Sequence, residues 1–179
     1  MWGCDVDEIP GKGLTAQEIV DAIHDGEIKG LLSICFNPAV SLPDTAHTAE
    51  ALDRLEFYKD NNFFLPDSGE HADVVLPGSL HEEDEGTSTS GEGRIIKINA
   101  AVEPPGEARL DWEILLDLAD RLGRGEHFRY DSTREIFEEL RLASAGGTAD
   151  YRGATWERIV DEHGLFWPIP EEGHPGTPR

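Results

Sequence analysis

The chain has 179 residues, with 37 Asp and Glu against 15 Lys and Arg, a formal charge of −22 at pH 7. That length suits one ordinary domain and is enough to bury a core; the 38% hydrophobic content with 19 glycines keeps the composition globular. The charge argues against nucleic acid or an anionic membrane as a general partner, since both need a positive face, and no run nears the roughly 18 apolar residues of a spanning helix.

Met1-Trp2-Gly3-Cys4-Asp5 has neither a basic nor an apolar region, so no signal peptide is expected. Thr15-Ala16-Gln17-Glu18 reads as a capping box. Ala16, Ile19, Val20 and Ile23 then fall on one helical face, and Gly26 ends the helix. Residues 30–36, almost continuously apolar, predict a strand covered on both faces that stops at Asn37-Pro38. A second helix starts at Asp44 or Thr45 and runs to Leu55. Residues 56–64 predict a strand whose apolar pattern is broken by Lys59-Asp60-Asn61-Asn62, and residues 71–77 another. Helices alternating with strands at this spacing predict parallel pairing with right-handed crossovers, a partial Rossmann-like sheet in an α/β fold.

Residues 78–93 are polar, acidic and glycine-rich, and read as a long loop, functional or disordered. Residues 94–99 predict a strand. Asp111 caps a helix through Arg121, with Ile114, Leu115, Leu118 and Leu122 as its stripe and Gly123 as its stop. Ser132-Thr133-Arg134-Glu135 opens a helix to about Ala143, and Thr155 opens a short one. The tail from Trp167 has no periodicity. A boundary is expected near 93/94, with an α/β part before it and a strand plus helices after it.

Cys4 and Cys35 are too few for a four-cysteine zinc or iron–sulfur site. Two reduced thiols in a cytosolic protein are expected, with a Cys4–Cys35 disulfide as the alternative. Three stretches carry possible chemistry. Asn37, at the carboxyl end of a strand, offers a donor and an acceptor to a nucleotide, or is a turn residue before proline. His81-Glu82-Glu83-Asp84-Glu85 is a divalent-cation site or, better, a solvated acidic loop; Gly86-Thr87 with Gly91 and Gly93 is a weak phosphate signal. Asp111 ordinarily serves its own helix. No G-x-S-x-G, H-E-x-x-H or Walker lysine is present, and no catalytic or metal-ligating residue is assigned.

The motifs Gly26-Glu27-Ile28-Lys29-Gly30-Leu31-Leu32, Asn37-Pro38-Ala39-Val40-Ser41-Leu42-Pro43-Asp44, Ala72-Asp73-Val74-Val75-Leu76-Pro77, Glu83-x-Glu85-Gly86-Thr87, Glu92-Gly93-Arg94 and 101–112, with the tail from Gly164, follow one another in register. In this order they resemble the large molybdenum or tungsten oxidoreductases that bind two molybdopterin guanine dinucleotides, with assimilatory nitrate reductases and formate dehydrogenases nearest. The resemblance covers essentially the whole chain but only an interior piece of the family's subunit. It implies that the 4Fe-4S cysteines, the protein ligand to the metal and most of the substrate funnel lie upstream of such a piece, and the domain closing over the pterins downstream. Residues 1–93 then correspond to part of the guanine-dinucleotide-binding α/β domain and 94–179 to a segment leading back into the subunit.

The resemblance implies cofactor contacts at Asn37, at the strand-tip pair Asn61-Asn62 and at Asp111, while Asp84 stands where many relatives have a lysine. Lys59-Asp60 replaces two apolar strand residues of the family; a buried charge without a partner is expensive, which leaves a frayed strand or a decaying gene. The implied function is a fragment of a molybdopterin-dependent nitrate reductase or formate dehydrogenase, cytoplasmic, inactive alone and partnered by the remainder of the subunit if the gene is split. The alternatives are a stand-alone acidic module that binds a nucleotide or a protein, and a solvated halophilic domain without a ligand.

Overall fold

The computed structural model describes Asp5, Asp7 and residues 9–177. Cys4 lies outside the described residues, and the proposed Cys4–Cys35 pairing with it. Two compact units form, one from residues 10–80 and 104–114, the other from 81–103 and 115–177 with the described residues before 10. No helix among the described residues is long and apolar enough to cross a membrane.

The first unit begins with helix α1 (Ala16–His24). Thr15 accepts from Glu18 N–H while the Glu18 carboxylate takes Thr15 N–H at 2.6 Å, a reciprocal cap of the kind worth about 1 kcal/mol. Strand β1 (Gly30–Ile34) follows, then a single helical turn, α2 (Pro38–Ser41), with proline at its start. Helix α3 (Thr45–Arg54) is capped by Asp44, which accepts from His47 N–H at 3.2 Å. Strands β2 (Phe57–Asn62) and β3 (Val74–Pro77) complete a three-stranded parallel sheet in the order β1-β2-β3. Register pairs Leu31 with Tyr58 and Leu32 with Lys59 on one side, and Lys59 with Val74 on the other. Ala39, Leu52 and Tyr58 form a buried cluster with Leu31, Leu55 and Ala72, so α2 and α3 cover the Leu31–Tyr58 face. Packing of α1 on α3 through Val20, Ile23 and Ala51 adds the next layer. This α/β arrangement is part of a Rossmann-like fold.

Three expectations for this unit change. The strand around Lys59 is not frayed: β2 is the central strand, paired on both sides over Lys59-Asp60-Asn61. Apart from Asp60 Oδ2, its polar side chains find partners in their neighbours, which offsets much of the cost that predicted fraying. Strand β1 is not covered on both faces. Leu32 is 42% exposed and Val74 39%, in the row that crosses the sheet through Lys59 on the face away from α3. The strand also ends at Ile34, since Cys35 turns out of it with a φ of 50°, a left-handed conformation uncommon outside glycine and asparagine.

In the second unit, residues 78–93 are not all loop. Strand β4 (Gly86–Thr89) pairs antiparallel with β5 (Arg94–Ile98), and β5 pairs with the two-residue β6 (Leu165–Phe166). Gly-Thr-Ser-Thr reads as loop because β4 is a half-exposed edge strand with no apolar residue to alternate. Helix α5 (Thr133–Ala143) is capped by Ser132, and its Glu135 carboxylate reaches Asp131 N–H at 2.8 Å. Helix α6 (Trp156–Asp161) is capped by Thr155. Ile95, Phe137, Trp156, Ile159, Leu165 and Ile169 make the core. Helix α4 (Asp111–Arg121) runs from one unit into the other; of its predicted stripe only Ile114 is buried, while Leu122 is 70% exposed.

Gly153 closes the second unit. Its N–H donates to Ile169 O at 2.7 Å, and Ile169 N–H donates to Asp150 O at 2.7 Å. A Cβ there would overlap the Glu171 carbonyl and sit 2.7 Å from Ile169 Cγ2. Gly153→Ala is expected to destabilise this unit by roughly 2 kcal/mol or more, read as a lower midpoint in urea unfolding followed by Trp fluorescence. An unchanged midpoint would show that the backbone can relax around the methyl group.

Candidate functional site

The carboxyl ends of β1, β2 and β3 lie side by side in the first unit, the end of a parallel sheet where ligands bind in open α/β folds. Asn61 and Asn62 end β2, Gly78 follows β3, and Cys35 and Asn37 follow β1. The returning segment 104–114 comes alongside β3: Arg109 N–H donates to Pro77 O at 3.1 Å, and Arg109 pairs with Gly78 in a parallel bridge. That contact delivers Asp111, two residues on, to the strand tips.

Asp111 is the first residue of α4, and its carboxylate is not spent as the expected cap. Asn61 Nδ2 donates to Asp111 Oδ1 at 2.6 Å, and the Cys35 thiol donates to Asp111 Oδ2 at 3.4 Å. Lys59 Nζ donates to Asn61 Oδ1 at 3.0 Å. Lysine, amide and carboxylate thus form one relay. Gly78 walls it: a Cβ there would lie 2.5 Å from Asp111 Oδ1 and 2.7 Å from Asn61 Nδ2. A cradle that only glycine fits is a feature of closely approached sites.

The structure therefore joins two of the sequence-derived residues, Asn61 and Asp111, directly. Asn37 belongs to a different network. Its Oδ1 accepts from Ser68 N–H at 3.2 Å and from the Ser68 hydroxyl, and its Nδ2 donates to Asp67 at 3.2 Å. Ser68 Oγ in turn accepts from Ala39 N–H at 2.9 Å, tying the 3-10 turn Asp67–His71 to the start of α2. With an amide's capacity of four hydrogen bonds, three of Asn37's are already made. The Asn62 carbonyl side-chain oxygen accepts from Phe63 N–H at 3.1 Å, and its backbone oxygen accepts from Gly78 N–H at 3.1 Å. Both hold the strand tip. Asp84 lies in the other unit, where its carboxylate accepts from Glu85 N–H. Glu85 pairs with Lys97 at 2.8 Å, so the acidic run is drawn partly into its own hairpin. Among the described residues no three His, Cys, Asp or Glu side chains converge to hold a metal ion.

Sequence reasoning missed Lys59, Cys35 and Gly78 as members of this site, and Ser68 as the partner of Asn37. Lys59 did send a signal, a charge inside an apolar strand, but read alone it looks like damage. Asn61 is its neighbour on the strand face, but Asp111, 52 positions ahead, lies beyond any local pattern.

Electrostatics follow from this packing. Burial lowers the Lys59 pKa, while the carboxylates of Asp60 and Asp111 hold it up. Desolvation first, then the Asp111 carboxylate, push the Cys35 thiol from 9.0 to about 11. On the opposite sheet face, burial raises the Tyr58 phenol and the Ser33 hydrogen bond restrains it. Since the folded thiol of Cys35 titrates above the unfolded one, its contribution to stability is whole below pH 9.0 and lost as the pH rises through about 11. In a Cys4→Ser background, iodoacetamide should therefore modify Cys35 slowly at neutral pH, with a rate inflection near 11, moved towards 9.0 by Asp111→Asn. An inflection at 9.0 in the parent would show that Asp111 does not act on the thiol.

Comparison with known proteins places the chain in a family. A family model described as "Molybdopterin oxidoreductase" matches residues 6–121. The chain is 48% identical over all of its length to the assimilatory nitrate reductase catalytic subunit of Bacillus subtilis, of which it covers 25%. It is 40% identical over 98% of its length to the F420-dependent formate dehydrogenase subunit alpha of Methanocaldococcus jannaschii, again covering 25% of that protein. A nitrate reductase of Symbiobacterium thermophilum is 41% identical over 99% of this chain and 24% of its own. Acetylene hydratase from Pelobacter acetylenicus shares the fold, with a TM-score of 0.66, 21% identity and coverage of 81% of this chain and 20% of its own. The chain thus spans about a quarter of the length of the curated relatives it matches. On the extent of the family match and on these identities, the chain belongs to the molybdopterin oxidoreductase family.

Proposed function

We propose that this chain is the guanine-side cradle of a molybdopterin-dependent oxidoreductase of the nitrate reductase or formate dehydrogenase kind. The observation that carries the reading is the Asp111 carboxylate at the tips of a parallel sheet, with Oδ2 engaged, among the described residues, only by a thiol at 3.4 Å. A thiol is a weak donor, and a guanine base presents N–H groups that displace it readily. Asn61 sits beside Asp111 as its orienting neighbour, Asn62 shapes the strand tip, and Asn37, most of whose capacity is spent on Asp67 and Ser68, offers at most one further amide proton. Gly78 supports the fit, since only a residue without a Cβ lets the backbone close on Asp111 and Asn61.

The unit formed by 10–80 and 104–114 is then the cofactor-binding part, and the remaining segments lead back into the rest of the subunit. The molybdenum or tungsten held by the pterins would supply the two-electron chemistry, while this chain binds and orients the nucleotide end. Its partner is the remainder of the subunit, its compartment the cytoplasm, and alone it turns over neither nitrate nor formate.

Calorimetric titration of the purified chain tests the reading. GDP is expected to bind in preference to ADP, and Asp111→Asn to weaken GDP about tenfold or more, the effect of one charge-assisted hydrogen bond. Equal affinity for the two nucleotides, or none for either, would refute the cradle. Reduction of nitrate or oxidation of formate by the isolated chain with an artificial electron carrier would refute its inactivity.

A further inference from the structure

We infer that Lys59 is a positioning residue: its ammonium fixes the side-chain amide of Asn61 in one orientation and so holds Asp111 for its ligand. The inference rests on the nucleotide reading above for its purpose, but on geometry alone for its substance. An asparagine amide can lie two ways, and what lies on either side decides which. Here one side is a lysine, which only donates, and the other is a carboxylate, which only accepts. The amide must turn Oδ1 to Lys59, at 3.0 Å, and Nδ2 to Asp111, at 2.6 Å. Flipping it would set the amide NH2 against the ammonium and its oxygen against the carboxylate, two repulsions at once. Asn61 is 1% exposed and Lys59 6%, so water cannot stand in for either partner.

The consequence reaches Asp111. With Oδ1 held by a pinned amide, the carboxylate rotamer is set, and Oδ2 is left turned to the weak thiol donor of Cys35. Aspartate at position 61 would satisfy Lys59 but would press a second carboxylate against Asp111. An apolar residue at position 59 would leave the amide free to turn. The neutral amide between a cation and an anion is the arrangement that keeps the Asp111 carboxylate directed.

This role separates from a merely structural one. Removing one member of a buried polar network leaves its partners unsatisfied and is commonly destabilising, so a lower melting temperature in Lys59→Met would not by itself tell the two roles apart. The variant should also change the site. The decisive measurement is the Asn61 side-chain NH2 pair in 15N–1H spectra of the ligand-free chain, assigned by its loss in Asn61→Ala. In Lys59→Met the pair is expected to move and exchange faster with solvent, whereas Lys59→Arg, which keeps a donor-only cation, should leave it near the parent position. GDP affinity should fall about tenfold in Lys59→Met, measured at a temperature where the variant is fully folded, and stay near the parent value in Lys59→Arg.

An Asn61 pair unmoved in Lys59→Met would overturn the inference, as would a loss of GDP affinity that merely tracks a loss of stability. If Lys59→Met does not fold, Lys59→Gln tests the same point, because its own amide oxygen can face the Asn61 NH2 and release the orientation. Failure of both to fold would assign Lys59 to the fold instead. If the parent chain binds no GDP, the nucleotide reading fails, and the NH2 pair still decides whether Lys59 sets the amide.

Discussion

A central strand of a parallel sheet loses stability for every buried polar side chain it leaves unpaired, and β2 buries four in a row. Lys59, Asp60, Asn61 and Asn62 are each no more than 9% exposed. Because side chains alternate along a strand, the four divide between two faces and two networks. Asp60 points with Tyr58 to the helix-covered face, where Ser33 Oγ donates to its Oδ1 at 2.5 Å and the Tyr58 hydroxyl lies 3.0 Å from Ser33. Lys59 and Asn61 point the other way, to Asp111. The arrangement of strand tips, returning segment and carboxylate depends on this division.

Stability alone does not account for it. An unpaired buried polar group costs of the order of 1–3 kcal/mol, and a charge more, whereas a satisfied hydrogen bond returns only about 1 kcal/mol net. The relay therefore roughly breaks even, and two apolar strand residues would do at least as well. Asp60 shows the same balance in sharper form, since its Oδ2 is buried with no hydrogen-bond partner among the described residues. A site that only breaks even, placed where parallel sheets bind ligands, is better explained by the geometry it fixes than by the energy it gives. Buried polar networks are retained in some proteins for such specificity.

What the sequence made legible was local. Caps place α1 and α5 within a residue or so, because a cap is a contact between residues three apart; the box of Thr15 with Glu18 is complete, while Ser132 accepts from Glu135 N–H but the Glu135 carboxylate turns to Asp131 N–H instead. The order of strands and helices from residue 19 to 77 and the parallel pairing follow from periodicity and spacing. What stayed hidden was set at long range. Strand β4 has no apolar alternation to show, and only its pairing with β5 makes it a strand. Asp111 carries the residue type of a helix cap, yet its partners are 50 and 76 positions away. Lys59-Asp60 looks like a fault when the neighbouring strand and the returning segment are unseen, and it becomes the centre of the site once Ser33, Asn61 and Asp111 are placed beside it. The family resemblance brought Asn61 and Asp111 to notice through their positions, but not the lysine that links them.

The same sheet bears on why its relatives are longer. Parallel sheets are ordinarily covered on both faces, but here α2 and α3 cover one, while Leu32, Phe57 and Val74 remain 42%, 50% and 39% exposed. β1 is also an edge, with no strand beyond it among the described residues. An apolar row next to an open edge favours burial under further polypeptide. A second copy is a poor candidate, since two chains each carrying a charge of −22 repel one another at low salt. Relatives about four times as long supply both the extra chain and, through it, a cover whose charge need not match. On the proposed reading, the uncovered apolar row is as informative as the tip that holds Asp111: the first favours further polypeptide, and the second says what that polypeptide would be built around.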